Sequence, residues 1–200
     1  LKIYPIPVIL VNRFIRTLDM DVVCIDNYRG GYMAARCLLD HGHKNIAYLS
    51  GSRFSTAHQD RLRGFSDAMI DAGIPLDPNH VIYTEENSRN SGRDFVNHFF
   101  SEKNQITAIF TSSNPTAIGA LTQLLDLGYS VPDDISIICF DDTPLAHDGR
   151  IKLSTVGYDP YQIGTASVDS LLSRISKPLS EKIKITYSPH LTIRNSIRSI

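Results

Sequence analysis

Little in this sequence announces chemistry. Three cysteines in 200 residues, Cys24, Cys37 and Cys139, are too few for a disulfide framework and lack the C-x-x-C spacing of a zinc or redox site. A stapled secreted scaffold is excluded, and buried thiols in a reducing cytoplasm are the expectation, with Cys24 and Cys139 acting as small hydrophobes. An excess of one charge is also missing. Lys plus Arg number 20 and Asp plus Glu 21, a formal net charge of -1, so the broad positive field of a free-standing nucleic-acid binder is absent and DNA contact would need another segment. No stretch approaches the ~18 unbroken apolar residues of a membrane span, and the leading Leu1-Lys2-Ile3-Tyr4-Pro5 lacks a secretory layout. Phosphate-loop and nucleophile-elbow spacings are absent, so Gly30-Gly31 is not a phosphate cradle and Ser113 has no histidine placed to activate it. His41-Gly42-His43 straddles a helix stop, with no cysteine or carboxylate at ligand spacing. The expectation is a non-enzyme that holds neither metal nor cofactor and touches no membrane.

What the sequence does hold is rhythm. The apolar content of 42% suffices for packed cores, and short β-branched runs alternate with segments of helical period. Strands are expected at Ile6 to Val11, Val22 to Ile25, Ile46 to Ser50, His80 to Thr84, Thr107 to Ser112 and Ile135 to Phe140. Between them fall helical faces: Tyr28, Tyr32, Ala35, Leu38 and Leu39 up to Gly42; Leu62, Phe65, Met69 and Ala72 up to Gly73; Phe95, Val96, Phe99 and Phe100; and Ile118, Leu121, Leu124 and Leu125 up to Gly128. Asn114 is expected to cap this last helix, with Pro115 at its first position. After Asp141 the pattern lapses for about fifteen residues. A helix is then marked by Ile163, Val168, Leu171, Leu172 and Ile175, followed by late strands at Ile183 to Tyr187 and His190 to Arg194.

Strands with a helix in each gap require parallel crossovers and helices on both faces of the sheet. Ligands of such sheets bind outside the strands' carboxyl ends. The loops expected there, Gly51 to Ser55 leading to Arg61, Glu85 to Ser91, Ser112 to Asn114 and Asp141 to Thr143, are rich in hydroxyl, amide and charged groups. They suit a small polyhydroxylated ligand, because each sugar hydroxyl taken from water must recover partners or lose roughly 1 to 3 kcal/mol. Arg61 is expected on the first turn of its helix, where a cation is unfavourable to the dipole, and the plain alternative is a surface pairing with Asp60 or Asp67. Asp141 directly follows a buried strand and faces the cleft mouth. Asp142 is the better candidate for a turn cap.

These residues carry a family resemblance. IPVILVNR (6–13), DN-x-x-GG (26–31), LLDHGHKNIAYLSG (38–51), RLRGF-x-x-A (61–68), TAIFTSSN-x-x-AIGAL (107–121), VPDDISIICFDDTPLA (131–146) and LSTVGYDPYQIG (153–164) resemble, in order, the effector-binding region of LacI-type bacterial transcription regulators. The resemblance implies an α/β fold of two Rossmann-like lobes, parallel sheets flanked by helices, of the type I periplasmic-binding-protein-like kind. An N-terminal lobe, incomplete here, would comprise 1–42 plus 158–186, and a C-terminal lobe 43–157 plus 187–200. It also implies an effector, a sugar or sugar derivative, held by Arg61 and Asp141. Ser113 and Asn114 stand where an Asn-Asp pair is usual, Arg29 reaches from the other lobe, Tyr158 lies at a crossing, and Asn87 replaces a stacking aromatic. A cytoplasmic homodimer is implied, joined through Pro115 to Leu127 and Thr143 to Lys152, reading operator DNA through a helix-turn-helix head that this sequence lacks. The alternative is a periplasmic sugar-binding protein of a transport system.

Overall fold

A computed structural model describes residues 6–100 and 105–200; the leading residues read above for a leader lie outside that range. Among the described residues the strands form two sheets. The larger has the order β4-β3-β5-β6-β7-β9, built from β3 (Ile46–Ser50), β4 (Val81–Tyr83), β5 (Ala108–Thr111), β6 (Ser136–Phe140), β7 (Ser154–Gly157) and β9 (His190–Thr192). Every pairing in it is parallel except β7 with β9. The smaller sheet, β1 (Ile9–Val11), β2 (Asp21–Ile25) and β8 (Lys184–Tyr187), is parallel throughout, in the order β1-β2-β8.

Helices cover both faces of the large sheet. Alternate strand residues point to opposite sides, so Ile46, Tyr48, Phe110, Ile138 and Phe140 pack under α1 (Asn27–Asp40) and α2 (Thr56–Asp71). Ala47, Leu49, Ile109, Ile137 and Cys139 pack under α3 (Arg89–Phe100) and α4 (Asn114–Asp126). Within the first layer Tyr48, Phe65 and Phe110 are fully buried and stack with ring centroids 4.7 to 5.3 Å apart. Glycines set how closely each helix pair crosses. A Cβ on Gly31 would stand 1.9 Å from the Arg61 carbonyl oxygen, and one on Gly64 1.9 Å from that of Tyr28. The α3–α4 pair repeats the device, with Gly92 against Thr116 and Gly119 against Arg89. The Gly30-Gly31 pair is thus a packing element: Gly30 lies on the Phe140 ring and Gly31 on α2.

The small sheet is covered on one face by α5 (Pro160–Ser176), through Ile163, Ser170 and Arg174. Arg174 makes a two-pronged ion pair with Asp21, both bonds 2.7 Å and both residues buried, and also donates to the carbonyls of Pro178, Ser180 and Glu181. The guanidinium holds the Asp21 carboxyl below the usual range. On the opposite face the described residues leave a depression of about 380 Å³ lined in part by Leu18, Met20, Val22 and Cys24, so Cys24 is half-buried while Cys37 and Cys139 are enclosed.

Four expectations need correcting. The helix Asn27–Asp40, assigned to the first lobe, packs on the large sheet; periodicity shows a helix but not which sheet it covers. β7 falls where the pattern appeared to lapse: it is fully buried yet reads Ser-Thr-Val-Gly, and its polar groups are satisfied by Ser196 and Arg194 rather than hidden. Leu125 is not on the buried face of α4 but 46% exposed. On α5, Val168, Leu172 and Ile175 face outward.

Candidate functional site

The large sheet reverses its strand order beside β3: the chain runs outward from β3 to β4 and returns to β5 on the other side. Loops diverge at such a point and leave a crevice outside the strands' carboxyl ends. Arg61 lies buried beside this crevice, at the carboxyl end of β5. It stands in the second turn of α2, not the first, on the helix's buried stripe with Ala57, His58, Gly64 and Phe65. Its Nε donates to Asn27 Oδ1 and its Nη1 to the Ser112 carbonyl, each at 2.8 Å, and its guanidinium lies 3.4 Å from the centre of the Phe140 ring. Neither Asp60 nor Asp67 pairs with it: Asp60 binds Arg16 at 2.9 Å and Asp67 accepts from Tyr28. The close α1–α2 crossing is what brings Asn27 within reach.

The Asp141 carboxylate supplies the opposing charge. Burial pushes its pKa up and the Arg61 charge pulls it back; burial likewise lowers that of Arg61 and Asp141 opposes it. Asp141 sits at the end of β6 with φ 72°, a left-handed conformation, and Asn12 at the end of β1 has φ 57°. Each such residue stores strain of order 1 kcal/mol or more, a feature that concentrates at ligand sites. Asn114 fixes the Asp141 backbone from below: it is the first residue of α4, with Ser113 at the cap, and its Nδ2 donates to the carbonyls of Asp141 (2.7 Å) and Phe140 (3.1 Å) while its Oδ1 accepts from Thr143. Asp142 is an ion-pair residue, not a turn cap. Arg194 grips both its oxygens and His147 lies 2.8 Å away, and its pKa falls to about 2.

Of the residues expected at the site, Asn114 is bonded to the backbone of Asp141, and Arg61 and Asp141 influence each other through charge alone. The Ser113 hydroxyl bonds Thr116 at 2.9 Å and is buried. Tyr158 accepts from Asn12 Nδ2 at 2.8 Å, tying the crossing into the large lobe to the end of β1. Arg29 is exposed, 3.4 Å from Ser188. Asn87 is exposed and lines a separate cavity beside the first cluster. Sequence reasoning missed Asn12, Asn27, His58 and the Ser112 carbonyl. Asn12 and Asn27 stand just past the carboxyl ends of β1 and β2, the rule that singled out Asp141 and could have found them.

Among the described residues, Tyr48 Oη and Ser50 Oγ within β3 and Asn12 Oδ1, Ser55 Oγ, His58 Nδ1 and Ser112 Oγ are buried without a hydrogen-bond partner. The last four follow β1, β3 and β5. An unsatisfied buried polar group costs about 1 to 3 kcal/mol, and a cluster of them calls for an explanation. Burial and the Arg61 charge lower the His58 pKa to about 4, so its ring is neutral near pH 7 and can both donate and accept. No group of three potential metal ligands occurs among the described residues, and no described helix is long and apolar enough to cross a membrane.

Comparison with known proteins bears on the family and the fold. The family described as "Periplasmic binding protein-like domain" matches residues 35–197. The HTH-type transcriptional regulator DegA of Bacillus subtilis (strain 168) is 36% identical over 191 residues, 96% of this chain and 56% of its own length. A putative LacI transcriptional regulator of Bacillus cereus subsp. cytotoxis superposes with TM-score 0.91 at 29% identity, covering 97% of this chain and 69% of its own. A LacI family regulator of Enterococcus faecium with bound ribose gives TM-score 0.88 at 26% identity, covering 97% and 71%. The chain spans little more than half the length of the curated relatives it matches. It belongs to the periplasmic-binding-protein-like domain family, and the relatives named above are transcription regulators.

Proposed function

We propose that this chain is the effector-binding core of a cytoplasmic LacI-type regulator and that its effector is a small sugar or sugar derivative. The observation that carries the reading is the buried Arg61 guanidinium, whose charge acts on the Asp141 carboxylate, together with the partnerless polar atoms on the loops after β1, β3 and β5. A polyol hydroxyl both donates and accepts, so one sugar can satisfy Asp141, Arg61, Ser112 and His58 together. Ribose bound in a structural neighbour is consistent with that class, and the transcription regulators among the relatives favour this role over transport.

In this reading Arg61 and Asp141 hold the sugar, Ser113 and Asn114 shape the Asp141 end, and Arg29, Asn87 and Tyr158 approach from the rim and the crossing. The effector touches both lobes, and its differential affinity for the closed arrangement sets their angle. A homodimer through α4 and the 143–152 loop relays that angle to an operator-binding head outside this chain; Leu125 and Leu127, 46% and 47% exposed, give that face apolar area. Thermal-shift screening against neutral sugars, sugar phosphates and nucleobases tests the reading, with light scattering returning a dimer. A neutral sugar should raise the Tm of the unaltered chain and lose that effect in Arg61→Ala and Asp141→Ala. A stabilising ligand indifferent to both substitutions would contradict the site.

A further inference from the structure

Beside the Arg61–Asp141 cluster lies a second cavity of about 340 Å³, which shares His58 and Asn87 with the sugar reading but whose aromatic wall that reading leaves unused. Its walls come from both lobes. Arg13 and Phe14 belong to the loop after β1, Phe54 and His58 to the loop after β3 and the start of α2, and Glu85 to the loop after β4. The lobes are clamped here: Thr56 Oγ1 donates to the Phe14 carbonyl at 3.0 Å, and Arg16 pairs with Asp60 at 2.9 Å. The cavity adjoins the inner cluster through His58, one turn before Arg61, and through Arg13, whose charge acts on both.

Phe54 is the anomaly. It stands 88% exposed at the tip of a tight turn closed by Ser55 N to the Ser52 carbonyl (3.1 Å), where an apolar ring gains nothing from the fold. Nearly every other phenylalanine in the large lobe lies in the core or against it. Across the same cavity stands the half-buried Phe14. Two aromatic rings with His58, buried and with Nδ1 unpartnered, make an amphipathic recess. Flat C–H faces bind such rings, and the hydroxyls at their edges can reach His58 and Glu85.

We propose that the Phe14–Phe54 cavity is an outer subsite of the effector cleft that holds a ring attached to the sugar, so that the effector is a glycoside or disaccharide and not a free monosaccharide. This rests on the sugar reading of the inner cluster, and the experiment separates the two. Calorimetric titration compares D-glucose and D-galactose with their phenyl β-glycosides and with maltose and lactose. A ring-bearing ligand should bind about tenfold or more tightly than its parent sugar, the scale of burying one aromatic face. Phe54→Ala should erase that advantage and leave the free sugar within about twofold, and Phe54→Tyr should keep it. Because the chain has no tryptophan, the emission of Phe54→Trp reports this spot alone: it should change with the glycoside and not with the free sugar. Loss of all binding in Arg61→Ala, with the preference untouched in Phe54→Ala, would overturn the subsite and keep the inner site. Equal affinity for free sugars and glycosides would overturn it as well. Binding of none of these ligands by the unaltered chain would overturn both.

Discussion

The two lobes solve one folding problem with different means. The large sheet is buried on both faces, and its helices approach so closely that glycine carbons touch neighbouring backbone. The small sheet has one covered face and relies on the enclosed Asp21–Arg174 pair, while Val168, Leu172 and Ile175 on α5 stay in solvent. Dispersed apolar packing resists single changes of charge, whereas an enclosed ion pair fails when one partner is removed and the other charge is stranded. The cleft lies where these two kinds of structure meet, joined by Asn12–Tyr158 and Arg16–Asp60.

Breaking the large lobe should have the largest effect. Gly64→Val puts a side chain into the Tyr28 carbonyl, a backbone atom that cannot swing aside. It should cost about 3 kcal/mol or more in chemical denaturation and displace Arg61, abolishing effector binding with it. Arg174→Met should act locally. Hydrogen exchange should accelerate in β2 and β8 while β3, β5 and β6 keep their protection, and uniform acceleration would show that the lobes unfold as one.

A third, smaller effect sharpens the comparison by pH. His58 titrates near 4 when folded and at about 6.5 when unfolded. Between those values the unfolded chain binds the extra proton, so stability falls as pH drops from about 6.5 toward 4 and is unaffected above that window. Asp142, with its pKa lowered to about 2, contributes stability that is complete above the ordinary carboxylate range and is lost only as pH falls from about 4 toward 2. His58→Gln should reduce the slope of a denaturation profile between pH 6.5 and 4, leaving the share of His43, whose pKa burial also lowers, and the lower limb in place.

Much of this was legible in the sequence where one element explains itself. β3, β5 and β6 are apolar on successive residues because both faces are covered, and Asp141 is conspicuous because it follows β6 directly. What was illegible depends on distant partners. β7 is buried with Val156 as its one large apolar residue because Ser196 and Arg194 satisfy its polar groups from about forty residues away. Asn114 looks like a cap but turns its amide to the end of β6. The packing of α1 on the large lobe depends on Gly31 against Arg61 and Gly64 against Tyr28, contacts that exist only after folding.

The central claim is that Arg61 and Asp141 grip one ligand together. A calorimetric double-mutant cycle on the sugar found by screening, using Arg61→Lys, Asp141→Asn and the pair, tests it most directly. Each single change should weaken binding about 10- to 100-fold, and the double should weaken it by clearly less than the product of the two, a coupling of about 1 kcal/mol or more. Unchanged affinity in either single variant, or strict additivity in the double, would contradict the account.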